Sequence, residues 1–344
     1  MAVPNSSLAD VLNRGWPSVD LEEVLCCPYC GSNKRTLIYQ AVRDYAFSTT
    51  PDEWNYWGCD RCDALYLNPR PIKASIGKAY ASYYTHSADG QSLIKRLKIR
   101  LKYECLSQWL GVNLTPRFGL PCWLGFLFHP LRSLIRVPCE LEFLATNPRG
   151  SLIDVGCGGG VTLALAQQMG WKVSGLEIDP LACKAANNIG LNVIQGDYSK
   201  LSEIAEKFDC VLCSHVLEHV HDPAEMLSFL TGSLKSNGHL FLSLPNANSD
   251  LRFHFGKFWR GLEAPRHISI PTTDVVISML ESLGYVDIKQ YDLYEETYWQ
   301  SLCIERKENL LPGKSFLLFK LGRLLSGKKL SQSTDYIQLI AKRT

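Results

Sequence analysis

Three groups of residues in this chain have types and spacing that can do chemistry. The first is a glycine-rich stretch, Ser151–Val161 (SLIDVGCGGGV), with Asp154 ahead of Gly156, Gly158, Gly159 and Gly160, and with Glu177 about twenty residues on. A backbone without Cβ atoms lets a ligand approach closely, and a carboxylate at that offset can accept two hydrogen bonds from neighbouring hydroxyls. The second is a pair of C-x-x-C knuckles, Cys27–Cys30 and Cys59–Cys62. Four thiolates so spaced can surround one Zn²⁺ tetrahedrally in a closed, structural site. The third is a run of acid–base side chains, His215, Glu218 and His219, with Arg266 and His267 further along. Imidazole titrates near neutral pH and suits proton transfer.

The elements that must position these residues follow from periodicity. An apolar run (Leu152, Ile153, Val155) leads into the glycines, and a helical pattern (Leu163, Leu165, Ala166, Met169) leads out. Strand, glycine turn and helix form the first unit of a doubly wound α/β fold, whose ligand lies at the C-terminal end of the strand. Six more strands are expected at Trp171–Ile178, Leu191–Gln195, Phe208–Cys213, Gly238–Leu244, Tyr285–Tyr291 and Tyr336–Lys342. Helices are expected at Pro180–Asn188 and Thr272–Leu283, and Asp222-Pro223 reads as another helix start. A dinucleotide fingerprint, G-x-G-x-x-G, would place its third glycine at Val161, and a P-loop would need Gly-Lys-Ser/Thr to follow these glycines; this turn has neither.

The form it does have, Asp154-x-Gly156-x-Gly158-x-Gly160, resembles the first motif of the class I S-adenosylmethionine (SAM)-dependent methyltransferases. The resemblance runs over about Arg149–Thr344. It implies an α/β fold with a seven-stranded Rossmann-like sheet, SAM as cofactor, and cofactor contacts from Asp154, Gly156, Gly158 and Gly160. It further implies Glu177 on the ribose with Ile178 beside it, Asp197 on the adenine with Tyr198 beside it, and Ser214 at the end of the fourth strand. Asp179 competes with Glu177, and Asp197 can equally cap the next helix. SAM carries no phosphate, so the helix N-terminus need not hold one.

The Leu-Glu-His-Val of Leu217–Val220 is similar to that of quinone-biosynthesis O-methyltransferases and cyclopropane-type methyltransferases. That lends Glu218 and His219 roles near the acceptor, in some O-methyltransferases with a divalent metal. His215 and His267 are the other base candidates. Substrate contacts are implied at Tyr83, within Tyr80–Tyr84, and at Trp259 and Arg266, within Trp259–His267 (WRGLEAPRH). Bracing of the loop competes as the role of Glu218 and His219, and loop packing as that of Trp259–His267.

The gap of 28 residues between the knuckles exceeds the usual spacing and holds strand-like Thr36–Val42 and Trp54–Gly58, which fits a zinc ribbon with a longer hairpin. Gly31 and Asp63 follow the two knuckles, where tight turns favour a left-handed backbone. A redox dithiol would need a thioredoxin-like β-to-α turn, which is absent. Cys210 and Cys213 share the x-x spacing but read as core residues on opposite faces of a strand. With the residues after the second knuckle, the resemblance extends to methyltransferases fronted by such a ribbon. Three domains are expected: 1–75 as the zinc ribbon, 76–147 as a helical linker or cap, and 148–344 as the SAM-binding domain.

Between them, Leu93–Leu110 has helical apolar spacing beside Lys95, Arg96, Lys98, Arg100 and Lys102, and Leu120–Val137 is aromatic and broken by prolines. Residues 93–137 read either as a cap over the active site or as a peripheral contact with an anionic membrane surface. The net charge of +2 gives no global pull towards nucleic acid, and the ribbon carries few basic residues. Thirteen cysteines suit a reducing cytoplasm; no signal peptide or membrane span is visible, which leaves a peripheral place at the inner face of a membrane as the alternative address. The expected function is methyl transfer from SAM to a small or carrier-linked acceptor, on the oxygen of a sugar, glycan or phenol-like group. An RNA methyltransferase using the ribbon and a non-catalytic adaptor are the competing readings.

Overall fold

The computed structural model describes residues 15–80, 93–116, 137–291, 296–306 and 335–344. First come β1 (Leu21–Glu22), β2 (Arg35–Val42), β3 (Trp54–Cys59), β4 (Leu65–Leu67) and β5 (Arg70–Pro71), then α1 (Leu93–Leu110) and α2 (Cys139–Thr146). An alternating series follows: β6 (Ser151–Val155), α3 (Val161–Gln168), β7 (Lys172–Glu177), α4 (Pro180–Asn188), β8 (Val193–Gln195), β9 (Phe208–Ser214), α5 (Pro223–Ser233) and β10 (Leu234–Pro245). Last are α6 (Asp250–Phe255), β11 (Ser269–Ile270), α7 (Thr273–Ser282), β12 (Tyr285–Gln290), α8 (Glu296–Arg306) and β13 (Tyr336–Arg343).

The seven strands expected from periodicity form one sheet, in the order β12-β13-β10-β9-β6-β7-β8. β6 pairs in parallel with both neighbours, Ile153 opposite Ser174 of β7 and Val211 of β9. Every residue of β6 is buried, as a strand flanked on both sides and covered on both faces requires. The strand order reverses between β6 and β9, where an open α/β sheet leaves its crevice outside the carboxyl ends. Cys210 and Cys213 are core residues of β9, each 1 % exposed. Asp179 caps α4, its carboxylate accepting from the Leu181 N–H at 2.8 Å, with Pro180 in the first turn.

A second sheet has four strands, in the order β11-β4-β3-β2. β2 and β3 are the hairpin expected between the knuckles, with Arg35 opposite Cys59. The other two strands were not expected: β4 follows the second knuckle, and β11 pairs antiparallel with it, Ser269 opposite Tyr66 and Ile270 opposite Leu65. A two-residue strand gives no periodic signal, so this partner is invisible to pattern reading. The sheet's apolar core includes Trp54, Tyr56, Leu65, Trp259, Ile268 and Ile270.

The chain divides into two compact units whose bounds differ from a cut at 75 and 147. One comprises 1–83, 215–228 and 242–341; the other comprises 84–214, 229–241 and 342–344. The ribbon residues thus share a unit with the residues around β11, because β11 completes their sheet. In the other unit α1 packs on α2. Its apolar stripe is incomplete: Cys105 and Leu106 are buried, Leu97 is 57 % exposed, and Glu104 is buried and accepts from Gln108 Nε2 at 3.0 Å. Residues 117–136, which hold most of the aromatic segment, lie outside the described residues, as does Tyr83.

Candidate active site

The glycine turn is built by backbone geometry. Gly156, Gly158 and Gly160 have φ of +79°, +54° and +78°, a region that side chains with a Cβ rarely adopt. A Cβ on Gly160 would meet Leu191 Cδ1 at 2.3 Å, whereas at Gly158 or Gly159 it would meet nothing within 4 Å. Gly160 is therefore a packing glycine at the start of α3, and Gly158 and Gly159 face open space in which a ligand can lie against the chain. Glu177, at the end of β7, is 8 % exposed. Its Oε2 accepts from the Gly158 N–H at 2.7 Å and its Oε1 from the Asp179 N–H at 2.9 Å. A carboxylate has about four lone-pair sites, so acceptor capacity remains beside the open turn.

Asp154 is buried, and burial, reinforced by Glu140 and Glu177, pushes its carboxyl up to about 7. Asp197 accepts from the Ser199 N–H at 3.0 Å and so caps the turn that follows. Tyr198 is 8 % exposed and stacks at a tilt on Phe229, while Ile178 is 69 % exposed. Ser214 closes β9.

Three of the predicted acid–base residues come together in the other unit. Ligand atoms of Glu218, His219 and His267 all lie within 4.8 Å of one another. Their protonation is set from behind. His219 Nδ1 lies 2.9 Å from the Arg266 carbonyl and 2.9 Å from the Tyr80 hydroxyl. A carbonyl only accepts, so Nδ1 donates to it, which in the neutral ring leaves the lone pair on Nε2. His267 Nδ1 likewise donates to the Gly261 carbonyl at 2.7 Å, and its Nε2 stands 4.0 Å from Glu218 Oε1. Burial pushes the His267 imidazole down to about 4, so it is neutral at pH 7. Glu218 is fully buried, and its Oε2 has no hydrogen-bond partner. Burial raises its carboxyl, but the hydrogen bond of His215 and the fields of His219, His215 and His267 outweigh that and hold it below the ordinary value. His215 is half exposed, with Nδ1 3.3 Å from Glu218 Oε1.

A carboxylate and two imidazoles this close can accept a substrate proton, or can hold a divalent cation. The unpartnered Glu218 Oε2 fits either use.

The loop carrying His267 is fixed by a buried ionic frame, and here two expected substrate contacts are corrected. Arg266 is fully buried. Its Nη2 and Nη1 bind Asp44 at 2.7 and 3.1 Å, Nη1 binds the Ala79 carbonyl at 3.0 Å, and Nε binds Glu263 at 3.0 Å. All three guanidinium nitrogens are engaged and the side chain is sealed from solvent, so Arg266 is a brace. Trp259 is 2 % exposed and donates from Nε1 to Asp335 at 2.9 Å, which makes it a core residue as well. Glu263 adopts φ +36° with ion pairs to Arg260 and Arg266. The fields of His267, Arg260 and Arg266 overcome its burial and hold its carboxyl at about 2.

Asp44, Tyr80 and Glu263 escaped sequence reasoning. Asp44 is far from the loop in sequence and belongs to no motif; Tyr80 opens the quoted Tyr80–Tyr84 run, where Tyr83 was singled out instead, and Glu263 stood inside the quoted WRGLEAPRH run, where its offset from Arg266 was the available signal.

The four cysteines form a second cluster, with Sγ atoms all within 4.8 Å. Cys27 and Cys62 are 3.6 Å apart and Cys30 and Cys59 3.4 Å apart. Tetrahedral zinc with Zn–S of about 2.3 Å sets neighbouring sulfurs about 3.8 Å apart. The donor set thus fits a structural Zn²⁺. Both knuckles turn alike: Gly31 and Asp63 have φ of +70° and +58°, and their N–H groups bond the Cys27 and Cys59 carbonyls at 3.0 and 2.9 Å.

Residues 131–290 match the family model described as "Methyltransferase domain". The chain is similar to the ubiquinone biosynthesis O-methyltransferase of Xanthomonas axonopodis pv. citri, with 35 % identity over 34 % of this chain and 52 % of that protein. It is similar also to that of Pseudoalteromonas translucida, with 33 % identity over 35 % of this chain and 54 % of that one. The chain thus spans about half the length of the curated relatives it matches. Among solved structures, a SAM-dependent methyltransferase from Archaeoglobus fulgidus aligns over 63 % of this chain and 99 % of its own, with 21 % identity and a TM-score of 0.43. The family match and the glycine turn fall on the same stretch: residues 131–290 of this chain are similar to methyltransferase domains.

Proposed function

We propose that this protein transfers a methyl group from SAM to the hydroxyl oxygen of a small-molecule acceptor. The observation that carries the reading is the open glycine turn with Glu177 beside it, inside a methyltransferase domain. Relatives named for O-methylation in ubiquinone biosynthesis favour oxygen as the atom methylated and a phenol-like or sugar hydroxyl, free or carrier-linked, as the acceptor. SAM, when bound, supplies an electrophilic methyl on a sulfonium.

The chain's own residues would do the rest. Glu177 would hold the ribose hydroxyls, and Gly158 and Gly159 would admit the cofactor to the backbone. His219 or His267, each with Nδ1 turned to a backbone carbonyl, would take the acceptor's proton on Nε2, and Glu218 would stabilise the resulting imidazolium. Cys27, Cys30, Cys59 and Cys62 would hold structural zinc. Thirteen cysteines fit a reducing cytoplasm. No described helix is long and apolar enough to cross a membrane.

The test is calorimetric titration of SAM into the full chain, then incubation with SAM and a panel of catechols, phenols and sugars. One cofactor site and a mass gain of one methyl on an acceptor hydroxyl are expected. Absence of SAM binding would overturn the reading.

A further inference from the structure

We infer that the four-cysteine site is a positioning device for the Glu218–His219–His267 cluster, acting through Tyr29 and β11. The inference rests on the reading of that cluster as the acceptor-side catalytic group. It assigns the ribbon a task inside its own unit, in place of one in binding an external partner.

The two clusters share a strand. Tyr29 lies inside the first knuckle, between Cys27 and Cys30. Its hydroxyl is 3.0 Å from Ser269 Oγ and 3.3 Å from the Ser269 carbonyl. Thr272, two residues past β11, donates from Oγ1 to the carbonyl of Cys62 in the second knuckle at 3.3 Å. β11 is therefore tied to the first knuckle at its own first residue and to the second knuckle just past its end. Between these ties Ser269 and Ile270 pair with Tyr66 and Leu65 of β4, the strand that leaves the second knuckle.

The other side of β11 leads directly to the catalytic candidates. His267 is two residues before Ser269. The Ile268 N–H donates to the Glu218 carbonyl at 2.9 Å, and the Ile268 carbonyl accepts from the Leu67 N–H at 2.9 Å. Tyr56, on β3 of the same sheet, donates its hydroxyl to the His267 carbonyl at 2.7 Å. A change in the spacing of the knuckles is thus a change in the register of β11. It reaches the backbone of His267 and of Glu218 with no flexible segment in between. Zinc, by fixing the knuckles, would fix the side chains that must sit within about 0.5 Å of their working geometry. Coupling of this kind is a claim about energies as well as about connectivity, so its test must read the second cluster while only the first is changed.

The experiment uses the zinc-loaded full chain and the substitution Tyr29→Phe, which keeps the ring and all four thiolates. Zinc content is read by elemental analysis. The imidazoles of His219 and His267 are read by long-range ¹H–¹⁵N spectra at one pH, with His254, exposed on α6, as the internal control. One zinc per chain, displaced His219 and His267 signals and an unmoved His254 signal are expected. His219 and His267 signals that superimpose on the wild type in zinc-loaded Tyr29→Phe would overturn the proposal.

Should Tyr29→Phe fail to retain zinc, Ser269→Ala and Thr272→Val remove the same ties from the other side and are read identically. Neither cofactor nor acceptor enters these spectra. A failure here therefore leaves SAM binding untouched, and a failure of SAM binding leaves these shifts to be read on their own.

Discussion

The glycine turn and the histidine cluster are assembled in opposite ways. The turn is local. Residues 154–160 and the end of the next strand make it, backbone torsions decide it, and most of its tolerance for ligand comes from atoms that are missing. The histidine cluster is distant in sequence and made of side chains. Tyr80, His219, Arg266 and His267 meet only because Asp44 and Glu263 hold Arg266, and because Arg266 lends its carbonyl to His219. A local site fails when one torsion is wrong. A distant one fails when any member of its frame is lost, including members that never meet a substrate.

That contrast can be broken in four places. The largest expected effect is on chemistry. His219→Ala and His267→Ala should each slow the chemical step by about 10²–10⁴-fold while SAM affinity stays within a factor of two of wild type. Single-turnover rates with an identified acceptor would check this; unchanged rates in both variants would move attention to His215.

Next is the frame. Asp44→Ala strands the fully buried Arg266 guanidinium and should cost about 3–5 kcal/mol of stability, seen in denaturant unfolding. A loss near zero would mean that Arg266 finds water and that the loop is not held by this pair.

Third, Glu177→Ala should weaken SAM binding by about 1.5–3 kcal/mol by calorimetry, since a charged acceptor of two hydroxyls is lost.

The fourth test is a pH dependence. His267 is depressed from 6.5 to about 4, so its neutral form favours the folded state. That contribution is complete above about 6.5 and is lost as pH falls towards 4. Asp154 runs the other way: raised from 3.8 to about 7, it contributes below about 4, and that contribution is lost as pH rises through 7. Stability–pH profiles of His267→Ala and Asp154→Asn should therefore depart from wild type on opposite sides.

Legibility in the sequence follows the same division. Strand β6, its glycines and the proline start of α4 could be read because each is fixed by residues within a few positions of itself. The two knuckles could be read because metal geometry constrains spacing, down to the left-handed Gly31 and Asp63. Arg266 was misread as a substrate clamp because an arginine in a loop carries no local sign of the carboxylate it will meet, and Asp44 lies in a different segment altogether. β11 went unseen because two residues have no periodicity, although they join the ribbon sheet.

That borrowed strand has a consequence for anyone who cuts this protein apart. The ribbon looks like a detachable module, and a shortened chain beginning after it would keep all seven strands of the large sheet. Such a chain would also leave β11 without its hydrogen-bonding neighbour and would bare Ile268 and Ile270, both fully buried in the intact fold. An unpaired apolar strand edge is a template for self-association. The trimmed protein should come out of the cell as soluble aggregate or inclusion body, and co-expression of residues 1–75 as a separate peptide should rescue part of it.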